Sequence, residues 1–137
     1  MTPLHVALSY LPFINKGNLL YPALSDQDQK SSIWRYAVTT PETANIIQQD
    51  LLEAVQNPNA FGHGAYLPQV PIAGKTGTAE LKLKKGDEGQ ENGLFVAFNT
   101  EQPQLLLTMM FEDVKGRGGS GLVVAKAKPI FQKYVKR

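Results

Sequence analysis

The sequence predicts an α+β domain, a three-stranded antiparallel meander with helices packed on it, and three observations carry that prediction. Apolar residues recur at helical spacing in two segments before residue 60. From residue 72 the pattern changes to three β-type runs, about 72–83, 93–99 and 104–112. Between those runs lie two polar turn segments, Lys84-Lys85-Gly86-Asp87-Glu88-Gly89 and Glu101-Gln102-Pro103-Gln104, which suit hairpin connections.

Thr2-Pro3 opens the first helix. The threonine serves as N-cap, and proline has a preset φ where its missing N–H costs nothing. Leu4, Ala7, Leu8 and Leu11 fall on one face, Pro12 should kink the last turn and Gly17 ends the helix. Leu19 to Leu24 and Ile33 to Val38 flank a polar stretch and read as a β-hairpin with a long loop. Thr40-Pro41-Glu42 repeats the start signal, with Glu42 placed to favour the helix dipole. Ala44, Ile47, Leu51 and Val55 form its buried face, and Asn57-Pro58-Asn59 stops it. Phe61-Gly62-His63-Gly64 reads as a flexible segment, followed by Pro68 and Pro71, which restrict the chain before the first long strand. After the third strand Gly116-Arg117-Gly118-Gly119 breaks the chain. A terminal helix then runs from about Ser120 to Lys136, with Leu122, Val123, Ile130, Phe131 and Tyr134 available to pack and Pro129 inside it.

Composition excludes several function classes. At 137 residues and 42% hydrophobic, the chain can bury the core of one domain. A net charge of +2, with no Lys/Arg cluster interleaved with aromatics, argues against nucleic-acid binding. The absence of cysteine removes disulfides, Cys-ligated zinc and a cysteine nucleophile. His5 and His63 are too few and too isolated for a metal site, so structural or surface roles are expected and no cofactor is implied. Neither a signal peptide nor an apolar run of about 18 residues is present, which predicts a soluble chain.

The stretch that carries chemistry is Ile72-Ala73-Gly74-Lys75-Thr76-Gly77-Thr78-Ala79-Glu80. Lys-Thr-Gly is one of three signatures of the serine penicillin-binding proteins and β-lactamases, beside Ser-x-x-Lys and Ser-x-Asn. The triplet, with Ser or Thr in the middle, arises by chance in roughly one chain of this length in twenty, so its surroundings decide. Those surroundings are a basic Gly-containing turn, then Asn92-Gly93-Leu94-Phe95-Val96-Ala97-Phe98, then an apolar run closing in Glu112-Asp113-Val114. From Thr2-Pro3 through Asn15-Lys16-Gly17-Asn18 to the last helix, the chain closely resembles the carboxy-terminal part of class B penicillin-binding proteins. The low-affinity, methicillin-resistance type is the nearest in pattern.

That resemblance implies a fold and an activity. The fold is the carboxy-terminal portion of the penicillin-binding/β-lactamase-like transpeptidase fold, here a single fragment with residues 1–60 as helices and hairpin and 70–137 as Lys-Thr-Gly strand, sheet and terminal helix. The activity is that of a serine DD-transpeptidase, which cross-links peptidoglycan stem peptides ending in D-Ala-D-Ala and is acylated by β-lactams at the extracytoplasmic face of the bacterial membrane. By the same resemblance Lys75 brings positive charge to the back of the cleft and Thr76 presents a hydroxyl to the carboxylate of substrate or β-lactam. Gly77 lets the ligand lie against the strand, and the backbone N–H of Thr78 serves the oxyanion. A bound peptide can further hydrogen-bond to the strand as an added β-strand.

One departure limits this. Ser9, Ser25, Ser31, Ser32 and Ser120 are followed three residues on by Pro12, Asp28, Trp34, Arg35 and Val123, so no Ser-x-x-Lys occurs, and no Ser-x-Asn occurs either. Ser25-Asp26-Gln27 is no substitute, since it lies in a polar loop and lacks the amide. The chain alone is therefore expected to be inactive. It is also expected to self-associate through a sheet edge, because the strand at 104–112 lacks a neighbour that the family's larger domain supplies. Glu80 reads as a solvated strand residue, Lys82, Lys84 and Lys85 as charges guarding an edge, and Glu112 and Asp113 as neighbours on opposite strand faces rather than an acid/base pair. Two other readings stand beside this one: a β-lactam sensor domain of a signalling receptor, and a non-catalytic module that docks peptides on the Lys-Thr-Gly edge.

Overall fold

A computed structural model describes residues 2–25, 32–82, 84–86 and 88–136. The order is helix α1 (Pro3–Ile14), strands β1 (Leu19–Leu20) and β2 (Ile33–Arg35), helix α2 (Pro41–Gln56), a 3₁₀ turn (His63–Ala65), strands β3 (Ile72–Leu81), β4 (Gln90–Asn99) and β5 (Leu106–Phe111), and helix α3 (Ser120–Tyr134). The meander is β3-β4-β5, antiparallel and in continuous register, and β1 with β2 makes a separate two-stranded ribbon. The α+β class and all three predicted helices are present. The predicted loop at 26–31, Ser25-Asp26-Gln27 for the most part, and the predicted strand end at 83 lie outside the described residues.

Both Thr-Pro signals start helices as their chemistry dictates. The Thr2 hydroxyl accepts from the His5 N–H at 3.3 Å and the Thr40 hydroxyl from the Thr43 N–H at 3.1 Å. α1 ends by a different device from a glycine stop. Lys16, at φ 52°, occupies the left-handed position, while the Gly17 N–H reaches back to the Pro12 carbonyl at 2.8 Å. Gly17, itself at φ 87°, is required by the approach of the segment just before α2, since a Cβ there would lie 2.1 Å from the Thr39 carbonyl oxygen.

The core forms on both faces of the sheet. On one face Phe95 and Ala97 of β4 and Ile72 of β3 pack with Val123, Val124, Ala127 and Phe131 of α3. On the other, Phe98 and Ala73 meet Leu51 of α2 and Tyr10, Phe13 and Ile14 of α1. Two expected faces are thereby corrected. In α1 the predicted Leu4 is exposed, and the contacts to the sheet come from Tyr10, Phe13 and Ile14, because only the carboxy-terminal half of the helix reaches it. In α3 Tyr134 is exposed and Val124 and Ala127 are buried instead, the stripe being rotated toward the small residues that allow close approach to β4. In α2, Ala44, Leu51 and Val55 are buried and Ile47 packs beside them, as the periodicity requires.

α2 positions the site. Its Leu51 packs with Ala73 on one side of the sheet and its Val55 with Ile72 on the other, so the helix lies along the flank of β3 rather than over one face. It covers the strand through Gly74, and β3 emerges into solvent at Lys75. None of the helices among the described residues is long and apolar enough to cross a membrane.

Candidate functional site

β3 is an edge strand of the meander. Its hydrogen-bond phase follows from one contact: the Thr100 N–H donates to the Pro71 carbonyl at 2.9 Å, and the register runs unbroken from there. Antiparallel pairs alternate between bonded and non-bonded positions. Residues 73, 75, 77 and 79 therefore spend their N–H and C=O on β4, and Thr76, Thr78 and Glu80 turn theirs to the open edge. Thr76 and Thr78, both singled out from the sequence, thus present backbone donors and acceptors where, among the described residues, no strand pairs with them.

The side chains complete the edge. Lys75 is exposed, and its Nζ donates to the Thr76 carbonyl at 3.0 Å, itself one of the outward groups. Among the described residues no carboxylate forms an ion pair with Lys75; the ion pair on this strand is Glu80 with Lys82, further along. That pair, and to a lesser degree Lys115, hold the Glu80 carboxyl below the usual carboxylate range. Glu80 is thus a solvated, paired residue as expected.

The two glycines of the strand have different causes. A Cβ on Gly74 would stand 2.9 Å from the Ala97 Cβ, the Phe95 ring and the Val96 carbonyl oxygen, so packing alone demands glycine there. A Cβ on Gly77 would meet only Leu94, at 3.7 and 3.9 Å, which is ordinary contact, and its φ lies outside the left-handed region. The fold leaves room at Gly77 that the sequence does not use.

The segment expected to be flexible, 61–64, is ordered. The His63 Nδ1 lies 3.1 Å from the Val55 carbonyl, its ring stacks on Tyr66 at 5.2 Å, and Ala65 is fully buried. His63 is a structural residue, as is His5, whose Nδ1 meets the Thr2 hydroxyl at 2.9 Å. Order in this segment has a consequence that sequence reasoning missed: Phe61 is held beside Lys75 and Thr76, over a small notch. The signal was faint, an aromatic ahead of Gly-His-Gly. Glu112 and Asp113 share no site, but for a different reason from the one expected. β5 ends at Phe111, and Asp113 turns into the left-handed region at φ 51° with its N–H on the Asn92 side-chain oxygen. A larger cavity of about 290 Å³ lies at the start of β3, away from Lys75; there the Gln104 amide clamps the Lys136 backbone at 2.9 and 3.1 Å, a structural use.

The chain is similar to known proteins over nearly its whole length. The family model "Penicillin binding protein transpeptidase domain" matches residues 1–136. Penicillin-binding protein 3 of Bacillus subtilis is 42% identical over 134 residues, covering 96% of this chain and 20% of that protein. The D,D-transpeptidase domain of a peptidoglycan glycosyltransferase from Eggerthella lenta superposes with a TM-score of 0.70 at 26% identity, covering 96% of this chain and 31% of the other. The transpeptidase domain of Burkholderia pseudomallei penicillin-binding protein 3 does so at 0.73 and 20% identity, over 96% and 42%, a likeness of fold. The chain thus spans one fifth of its curated relative's length.

Proposed function

The chain belongs to the penicillin-binding protein transpeptidase family, and from that premise we propose that it is the carboxy-terminal part of a serine DD-transpeptidase domain, with residues 1–60 and 70–137 as its two portions. The whole enzyme cross-links peptidoglycan stem peptides and is acylated by β-lactams. It is of class B, of the low-affinity type associated with methicillin resistance, in a protein anchored at the extracytoplasmic face of the membrane.

In this reading a serine elsewhere in the domain attacks the carbonyl of the penultimate D-alanine. The C–N bond breaks, the terminal D-alanine leaves with the transferred proton, and the amine of a second stem peptide then resolves the acyl-enzyme. This chain supplies what holds the donor. Lys75 places its charge near the donor's carboxylate, Thr76 donates its hydroxyl to that carboxylate, and the outward N–H of Thr78 stabilises the oxyanion as charge develops. Open groups on Thr76 and Thr78 pair with the donor backbone as an added strand. For the 137 residues alone the reading is absence of acylation, and self-association along β5.

The observation that carries the proposal is Gly77. A glycine retained where the fold accommodates a Cβ, between two residues whose backbone groups face an open edge, is accounted for by a ligand lying on that strand. Labelling of the whole protein with a fluorescent penicillin tests it. Stoichiometric labelling that falls at least about tenfold in rate in Gly77→Val supports the reading, and an unchanged rate removes the strand from the site.

A further inference from the structure

Phe61 is 85% exposed, yet it does not belong to a frayed loop. Gly62 is pressed against α2 so closely that a Cβ would lie 2.4 Å from the Ala54 carbonyl oxygen. The His63 N–H donates to the Ala60 carbonyl at 3.1 Å, and His63 is fixed by Val55 and Tyr66. A large apolar ring is thus exposed among the described residues on a rigid support, a placement that calls for an apolar partner. Phe61 lines a notch of about 180 Å³ together with Ala54, Ala60, Gly62, Gly74, Lys75 and Thr76. Among the described residues that line it, Lys75 is the charged one.

We infer that Phe61 and this notch receive the side chain of the donor residue that bears the terminal carboxylate, making Phe61 a specificity-determining residue of the reaction. The inference rests on the proposed function. With its carboxylate at Lys75 and Thr76 and its backbone on the outward groups of Thr76 and Thr78, the donor runs antiparallel to β3. Its carboxy-terminal end then faces α2 and its amino-terminal end runs toward Glu80. The substituent on the terminal α-carbon is one bond from the carboxylate, and Lys75 and Thr76 themselves line the notch that Phe61 shares. Its walls of alanine and glycine admit a methyl group and repel nothing apolar of similar size, while the absence of a second charge disfavours polar substituents.

The test uses the whole transpeptidase and two depsipeptide donors that differ by one methyl group, ending in D-alanyl-D-lactate and D-alanyl-glycolate. Wild type should prefer the lactate donor in kcat/KM. Phe61→Ala should reduce that preference by about five- to tenfold, mainly by slowing the lactate donor, and Phe61→Leu should keep most of it. Equal effects of Phe61→Ala on both donors, or a preference unchanged within twofold, overturn the inference while leaving the proposed function standing. A wild-type protein that neither turns over either donor nor is labelled by penicillin overturns the proposed function and this inference together.

Discussion

Gly74 and Gly77 lie three residues apart on one strand, and replacing each with alanine should have opposite effects. At Gly74 the new methyl would stand 2.9 Å from three atoms, against the about 3.5 to 4.0 Å that carbon atoms prefer. Two of those neighbours, Phe95 and Ala97, are fully buried and the third is backbone, so none swings aside. Overpacking of this kind costs about 1 to 3 kcal/mol. At Gly77 the methyl makes ordinary contact with Leu94, and the loss of unfolded-chain entropy stabilises by about 0.4 to 1 kcal/mol. Gly77→Ala should therefore be more stable than Gly74→Ala by about 1.4 to 4 kcal/mol, a separation on the order of 10 °C in Tm for a chain of this size. Thermal and urea denaturation of the 137-residue chain measure it. Acylation of the whole enzyme by a penicillin is the second axis, where Gly77→Ala should lose about tenfold or more despite its stability. Equal destabilisation by both substitutions would refute the steric argument, and a stable Gly77→Ala with undiminished acylation would refute the ligand argument.

Four further outcomes are expected. Thr76→Val in the whole enzyme should slow acylation by substrate and β-lactam about 10- to 100-fold through the loss of roughly 1.5 to 3 kcal/mol of hydrogen bonding, with folding unaffected; a rate within twofold of wild type would dismiss Thr76 from carboxylate binding. Intact-mass measurement of the 137 residues after incubation with excess penicillin should show no adduct, and a stoichiometric acyl increment would contradict the reading. Thr108 has a buried hydroxyl without a hydrogen-bond partner among the described residues, so Thr108→Val should raise stability by about 1 kcal/mol; a lower urea midpoint would reveal that the hydroxyl is satisfied. β5 is the other edge of the meander, and its even-numbered residues turn their backbone groups outward, so sedimentation equilibrium at micromolar concentration should detect association of this 15.0 kDa chain; a clean monomer would mean that α1, which packs Phe13 and Ile14 beside Leu106, shields the edge.

What was legible in the sequence is what local chemistry decides. Thr-Pro caps, the period of α2 and the switch to β patterning at residue 72 each act within a few residues, and they placed the elements to within a few positions. The α1 face was misjudged because its periodicity is compatible with more than one stripe, and only the position of the sheet selects Tyr10, Phe13 and Ile14. Order in 61–64 was missed for a related reason. Gly-rich composition signals freedom when nothing surrounds it, but here Gly62 is needed for contact with α2 and His63 finds Val55 and Tyr66, partners that only the tertiary fold brings near. The Lys-Thr-Gly motif was readable, but the distinct causes of its flanking glycines were not, since both look alike until a Cβ is built on each.

β3 also carries an internal comparison that separates a binding edge from a merely protected one. Its first residues, 72–74, are covered by α2 and need no device. Its far end is treated as an exposed edge usually is, with Lys82 paired to Glu80, charges that keep another strand away. Between them, at 75–78, Lys75 and Thr78 are exposed and Thr76 and Gly77 half-buried, and the strand carries one cation with no carboxylate partner among the described residues, two short hydroxyls and a glycine that packing does not require. A protective edge would place bulk and like charge there, because both discourage pairing. Small side chains and a single cation do the reverse: they leave the outward N–H and C=O of Thr76 and Thr78 accessible and favour an anionic partner at one end. The change from cover, to small residues with outward backbone groups, to a paired charge along ten residues is what favours the proposed site in the middle of β3 over an edge left over.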